Sequence, residues 1–357
     1  MRIAWDVKEI AGQKAGKGYY TFQLLKFLAK IDRQNQYFLY TDRDFQLPLP
    51  KNFKKVIIPK IFWLKYFWQS YDIKRKKIDF LFATTSYLLP LFVSCKTILT
   101  VHDLAVFYDF TRPRFKTWLI EKITIKYALQ KAEIIIVPSE STKKELIKFF
   151  PFVKPKVRVI WEGVLRPKKA KKNLKNKQKF ILSVGTIEPR KNFVNLIKAY
   201  QMLPARLRKS FRLIIIGKRG WHYKEILNLG AKTKGVKFLG YLPEKKLADW
   251  YRLASLFVYP SLYEGFGLPV IEAMSYGLPV ICSNTTSLPE IAGGAALFFN
   301  PLKPKEISRV IQKVLDNPKL QKKLIQKALE RAKKFSWEKC SRETLKIFQS
   351  LKNEKSI

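Results

Sequence analysis

Pro260-Ser-Leu-Tyr-Glu264-Gly-Phe-Gly-Leu-Pro-Val-Ile-Glu272-Ala-Met274 is the stretch on which the reading of this 357-residue chain turns. It begins where the apolar run Leu256 to Tyr259, a candidate strand, ends, and open parallel sheets bind ligands at such strand ends. Gly265 and Gly267 let backbone amides approach a ligand with no side chain in the way. Pro269 suits the first residue of a helix, whose N-terminus favours an anion such as a diphosphate. Glu264 then lies in the loop and Glu272 in the first helical turns, both bordering one cavity. A carboxylate can accept two sugar hydroxyls, so the pair suits a ribose and a hexose. A lone Glu-Gly-x-Gly is an ordinary surface turn; strand end, glycines, proline-started helix and paired carboxylates together point to an anion-and-polyol site.

Outward from this stretch, strands and helices alternate. In the second half, strands are expected at Phe180–Val184, Arg212–Ile216, Val236–Leu239, Leu256–Tyr259, Val280–Cys282 and Ala296–Phe299. Helices are expected at Asn192–Met202, Lys224–Gly230 and Glu244–Leu253. In the first half, Arg2–Val7, Tyr37–Thr41, Lys55–Pro59, Thr97–Leu99 and Glu133–Val137 read as strands, with helices at Tyr20–Ile31 and Trp118–Lys131. Such alternation implies parallel sheets covered by helices. Around 166–178 the pattern collapses into Lys, Asn and Pro, a linker by composition. The chain is therefore read as an α/β protein with an N-terminal domain over 1–165, a basic linker over 166–178 and a C-terminal domain over 179–336. A final helix over 337–357 is expected to cross back to the first domain.

The setting E-G-F-G-L-P-V-I-E-A-M, with seven residues between Glu264 and Glu272, resembles the signature of the large retaining glycosyltransferase family four. The resemblance runs through nearly the whole chain. It implies the GT-B fold, two Rossmann-like domains facing each other across a cleft. It also implies that Glu272 holds the donor ribose and Glu264 lies against the donor sugar, with Gly265, Phe266, Gly267 and Leu268 contacting sugar and diphosphate through their amides.

Val184-Gly185-Thr-Ile-Glu-Pro-Arg190-Lys191-Asn192 again joins a strand end to a helix start. Adjacent cations there form a diphosphate clamp, Arg as a fork and Lys as a point charge. The block resembles the family's Gly-x-x-x-x-x-Lys-Asn element, which gives the phosphates to Lys191 and Arg190. Gly240-Tyr241-Leu242 follows a further strand; it is either an αβ turn or, by resemblance, the nucleobase lining. In the first half, His102 resembles the residue facing the donor sugar, and the loop Ala15 to Tyr20, with Gly16 and Gly18, resembles the glycine loop approaching diphosphate and acceptor. Tyr19 stands where arginine is common in the family. Ser139 reads as a helix cap. Asp42-Arg43-Asp44 has the form of an Asp-x-Asp metal motif but follows a short early strand, so no metal and no cofactor are assigned.

Composition narrows the class further. Three scattered cysteines and two histidines fit neither a disulfide framework nor a histidine-built metal site. The opening Met1-Arg-Ile-Ala-Trp5 reads as a strand rather than a signal peptide, and no apolar run approaches the roughly 20 residues of a membrane span. A cytoplasmic protein is expected. A formal charge of +43 attracts phosphate-rich partners, yet lysine is spread over nearly every segment. From Lys54 to Lys77 cations interleave with Phe62, Trp63, Tyr66, Phe67 and Trp68. That stretch is either a surface peripheral to an anionic membrane, at the inner face of the cytoplasmic membrane, or an ordinary helix whose rings pack inward.

The reaction the resemblance implies is hexose transfer, with retention, from a nucleotide sugar to a saccharide or lipid-linked glycan acceptor in surface-polysaccharide synthesis. Glu-Pro-Arg-Lys-Asn resembles bacterial mannosyltransferases, so GDP-mannose is the favoured donor. The rival from another class is a basic membrane-surface or nucleic-acid-binding protein without transferase activity. No recognisable nucleic-acid module is present, so no specific nucleic acid is expected as a partner.

Overall fold

The computed structural model describes residues 1–12, 16–108, 115–165, 167 and 179–353. Of the expected linker only Pro167 falls among them, and Ala15 of the glycine loop falls outside. The chain divides into two compact units, Met1–Phe107 with Arg114–Gly163 and Ser336–Ile357, and Tyr108–Pro113 with Val164–Phe335.

In the first unit, seven strands are seen among the described residues: β1 (Arg2–Asp6), β2 (Gln36–Thr41), β3 (Phe53–Ile57), β4 (Phe80–Ala83), β5 (Lys96–Thr100), β6 (Ala132–Val137) and β7 (Val157–Val159). They lie in the order β3-β2-β1-β4-β5-β6-β7, every neighbouring pair parallel. β4 and β7 lie outside the sequence expectation. β4 is a four-residue apolar run, Phe-Leu-Phe-Ala, with no alternation to betray it, because both of its faces are buried. β7 has only three residues and sits among Lys and Pro.

Helices cover both faces of this sheet. On one face the inner residues Tyr66, Ile73, Leu89, Ile125, Leu129 and Leu146 share one core with Ala4, Leu81, Leu99 and Ile135. On the other, Lys17–Ile31 packs against the last helix, Trp337–Asn353. The ring of Phe348 on that last helix lies 5.3 Å from Phe80 and 5.2 Å from Phe82. Gly163 permits a close backbone approach here: a Cβ at this position would lie 2.1 Å from the Trp337 nitrogen. Ser139 caps Glu140–Phe149, its Oγ accepting from Thr142 N at 3.0 Å.

The second unit repeats the plan. Strands β8 (Lys179–Val184), β9 (Phe211–Ile216), β10 (Val236–Phe238), β11 (Leu256–Tyr259), β12 (Val280–Ser283) and β13 (Leu297–Phe299) run parallel in the order β10-β9-β8-β11-β12-β13. Both sheets are of the Rossmann type. In each, strand order reverses beside the first strand, between β1 and β4 and between β8 and β11. Such a reversal opens a crevice at the strands' carboxyl ends. Among the described residues no helix is long and apolar enough to cross a membrane.

Candidate active site

The reversal between β8 and β11 gathers the charged residues of the second unit. After β8 the chain passes Gly185 and enters a tight turn at Pro189–Lys191. Asn192 then takes a left-handed conformation, φ 56°, before the helix Phe193–Gln201. Its amide Nδ2 donates to the carbonyls of Pro260 at 3.0 Å and Pro301 at 2.8 Å, and Leu262 N donates to Arg190 O at 2.9 Å. The loops after the two strands are thus tied together, and the side chains of Arg190 and Lys191 meet Glu264.

Glu264 is buried, 8% exposed, and fully engaged. Its Oε1 accepts from Lys191 Nζ, from Tyr259 Oη at 2.8 Å and from Ser261 Oγ at 2.6 Å. Its Oε2 lies 3.3 Å from Arg190 Nη1. Lys191 Nζ also donates to Tyr259 Oη at 2.9 Å. Arg190 reaches Glu188 at 3.0 Å and the Tyr263 carbonyl at 3.0 Å. Burial alone would raise the Glu264 carboxyl; the charges of Lys191 and Arg190 outweigh it and bring it down to about 2. Lys191 is lowered by burial and by its neighbour Arg190. Two cations and two carboxylates therefore balance, which is the condition for charges this buried.

The rest of the motif loop is braced from beneath. Glu264 N donates to Thr286 Oγ1 at 3.0 Å, and the Ser287 hydroxyl lies 2.9 Å from the Glu264 carbonyl and 2.8 Å from that of Phe266. The Phe266 ring is buried, edge-on to Phe335 at 5.8 Å. Gly267, at φ 107°, precedes the helix Leu268–Ser275. That helix opens at Leu268, so Pro269 is its second residue rather than its first. Glu272 projects from it into a different network, its Oε2 accepting from Tyr251 Oη at 2.9 Å. Burial pushes this carboxyl up to about 7 despite the tyrosine bond, helped by Glu244.

Of the other expected residues, Gly185 adjoins the cluster and Gly240 follows a different strand. A Cβ on Gly185 would contact the methylenes of Lys191 at 3.5 Å. Gly240 turns with φ 68° after the edge strand β10, its carbonyl accepting from Gly217 N at 2.9 Å; Tyr241 is exposed and Leu242 half-buried. Gly16, Gly18 and His102 belong to the first unit. Gly16, φ 51°, precedes the helix Lys17–Ile31, and a Cβ on Gly18 would lie 2.7 Å from the Glu9 carbonyl. His102 Nε2 lies 2.9 Å from the Thr84 carbonyl, so it carries the proton; Nδ1 is 3.6 Å from Glu162 Oε1. Its ring is edge-on to Tyr20 at 4.7 Å. Among the described residues no group of three or more His, Cys, Asp or Glu could hold a metal ion. Asp44 of the Asp-x-Asp sequence pairs with Lys55 at 2.7 Å.

Sequence reasoning passed over Tyr259, Ser261, Glu188 and Tyr251. Ser261 lies inside the opening stretch and Glu188 two residues before Arg190, so both were within reach. Tyr251 carries no local signal.

Two family profiles divide the chain between them: Glycosyltransferase Family 4 matches residues 16–164, and Glycosyl transferases group 1 matches residues 166–331. The chain is 32% identical to the O-antigen chain mannosyltransferase B of Escherichia coli, over 80% of this chain and 77% of that one. It is 34% identical to the serotype-specific mannosyltransferase WbdA of Escherichia coli over 69% of its own length, but spans only 32% of that longer protein. Among solved structures, sucrose-phosphate synthase from Thermosynechococcus elongatus superposes with a TM-score of 0.80 at 21% identity, covering 99% of both chains. WaaG, a glycosyltransferase involved in lipopolysaccharide biosynthesis, gives 0.77 at 16% identity over 97% of this chain and 99% of that one.

Proposed function

The chain belongs to glycosyltransferase family four, and from that premise we propose that it transfers a hexose, with mannose favoured, from a nucleoside diphosphate sugar to a saccharide or lipid-linked glycan acceptor in cell-surface polysaccharide synthesis. The observation that carries this reading is the buried Glu264 cluster at the strand-order reversal of the second unit. Mannose is favoured because two of the relatives above are named mannosyltransferases, and GDP-mannose is the donor that the resemblance of the Glu-Pro-Arg-Lys-Asn block implies.

In this reading Lys191 and Arg190 stabilise the charge that develops on the leaving diphosphate, and Glu264 fixes both cations before the donor arrives. Preorganised charge in a water-poor site loses little to reorganisation, and removing one such group typically costs about 3–4 kcal/mol of barrier stabilisation. Glu272, a half-buried carboxylate oriented by Tyr251, accepts the ribose hydroxyls. Gly185, Gly265, Gly267 and Leu268 supply close backbone at the diphosphate and Gly240 to Leu242 face the nucleobase, while the family resemblance assigns Gly16 and Gly18 of the first unit to the donor as well. By the family resemblance His102 is given to the donor sugar; its Nε2–H is committed to the Thr84 carbonyl and its Nδ1 lies toward Glu162. No side chain stands ready as a nucleophile at Glu264, whose oxygens are bound to cations and hydroxyls. This speaks against a covalent glycosyl-enzyme on Glu264; retention is what the family resemblance implies.

The test is a thermal-shift screen of GDP-mannose against UDP-sugars, followed by NMR of the product's one-bond carbon–proton coupling at the anomeric carbon with a mannoside acceptor. The reading expects GDP-mannose to raise the melting temperature most and an α-linked product from the α-linked donor. A β-linked product removes the retaining assignment, and stabilisation by a UDP-sugar alone removes mannose.

A further inference from the structure

One edge of the Arg190 guanidinium is taken by an acid of its own loop. Its Nε lies 3.1 Å and its Nη2 3.0 Å from Glu188 Oε1, while Nη1 faces the Tyr263 carbonyl and Glu264 Oε2. A carboxylate and a phosphate suit the same planar fork, so Glu188 engages the donors that a diphosphate would use.

Glu188 is held in place by the loop after β9. Ile187 N donates to Lys218 O at 2.8 Å, Gly220 N donates to Ile187 O at 3.0 Å, and Ile187 pairs with Arg219 in a parallel bridge beyond the two strands. A Cβ on Gly220 would lie 3.1 Å from Glu188 Cβ, so a glycine there lets the two loops close around the acid. The Glu188 side chain is 3% exposed against 16% for Arg190. An entering anion can therefore reach the arginine, whereas the acid is sealed in and its stem is fixed.

Charge sets the outcome of that encounter. Lys191 and Arg190 already balance Glu188 and Glu264, and a diphosphate brings further negative charge to an edge that serves one anion at a time. Burial raises the Glu188 carboxyl above its ordinary value even with Arg190 beside it. The other groups around it are Lys191 on its own turn, Glu264 and Tyr259 from β11 and its loop, and Lys218 and Arg219 on the loop after β9. Lys191 is held by Glu264 and Tyr259, and Arg219 lies over the Tyr223 ring at 5.5 Å, so neither replaces Arg190. A buried carboxylate that loses its cation takes a proton instead.

We propose that Glu188 is an internal competitor of the diphosphate: it holds one edge of Arg190 before the donor binds, yields that edge to a phosphate, and reclaims it as the product nucleoside diphosphate leaves. Glu264 keeps Nη1 throughout. The displaced carboxylate takes up a proton from solvent and returns it on release. Glu188 thus acts through Arg190 and weakens nucleotide binding, the opposite of a residue that merely orients the clamp. The proposal rests on the reading that the second unit binds a nucleoside diphosphate sugar.

The experiment is calorimetric titration of GDP and of UDP into the full chain and into Glu188→Gln, near neutral pH, in two buffers of different ionisation enthalpy. Other titrating groups, Glu272 among them, are common to both proteins, so the difference in proton uptake isolates Glu188. The variant should bind the preferred nucleotide roughly tenfold more tightly than the parent and take up fewer protons for each nucleotide bound. If Glu188→Gln fails to fold, Glu188→Asp, which keeps the charge but withdraws it from Arg190, takes its place with the same expected tightening. Weaker binding by the variant would overturn the proposal and make Glu188 a support of Arg190; equal affinity and equal proton uptake would overturn it too. Failure of the parent to bind either nucleotide would remove the nucleotide-sugar reading itself, and this proposal with it.

Discussion

Lys191 and Glu264 form a buried ion pair between loops that follow neighbouring parallel strands, 73 residues apart in sequence. Everything else in the cluster supports it: Tyr259 bonds both partners, Ser261 bonds the carboxylate, and Arg190 bridges Glu188 and Glu264.

Breaking that pair from one side leaves a buried ammonium without its counter-charge. Glu264→Gln should lower stability by about 3–5 kcal/mol. Replacing both partners, with Lys191→Met added, should restore part of the loss. Urea denaturation of the single and double variants measures the difference. A Glu264→Gln protein as stable as the parent would mean the pair is not formed.

The acid limb of stability follows from the same carboxyl. Its value falls from 4.5 to about 2 on folding, so the native state favours its ionised form. The stabilisation is complete above the unfolded value and fades as pH drops from 4.5 through about 2. Melting temperatures across that window should fall less steeply in Glu264→Gln than in the parent.

Glu272 moves the other way, from 4.5 up to about 7, so its ionisation is disfavoured in the native state. The group destabilises the fold as pH rises from its unfolded value through about 7, and that penalty then levels off. If the carboxylate accepts the ribose hydroxyls, donor affinity should rise roughly fivefold between about pH 6 and pH 8, the difference between a charged and a neutral acceptor. Tyr251→Phe removes a bond that lowers this carboxyl, so the midpoint of the affinity change should shift to higher pH. Calorimetric titration of the nucleotide sugar across pH reads both effects.

Gly163→Ala probes the packing of the last helix on the first unit. The added methyl would sit 2.1 Å from Trp337 N, a contact only backbone displacement can relieve. A loss of about 1–3 kcal/mol or more is expected in a thermal or urea melt.

How much of this was readable without coordinates depends on the distance over which each feature is built. Apolar runs such as Leu256–Tyr259 alternating with helical stretches sufficed for the parallel α/β fold, because each strand and its following helix are local patterns. β4 escaped because a short strand buried on both faces has no period to detect. At the site, the opening stretch identified the loop and its carboxylates from local chemistry, but not their partners. That Lys191 lands on Glu264, or Tyr251 on Glu272, is decided by strand order, which brings β8 beside β11 and packs Glu244–Leu253 near the helix of Glu272. Local signals predict an anion site; only the topology shows that its cations are already held by glutamates.

The central claim is that the second unit binds a nucleotide sugar through the segment from Glu264 to Glu272. It is tested most directly by calorimetric titration of GDP-mannose and UDP-sugars into the parent and into Glu272→Ala. The account predicts saturable one-to-one binding by the parent and loss of that binding in the variant, with the fold intact by circular dichroism. Parent-like affinity of Glu272→Ala for every nucleotide sugar tested would contradict it.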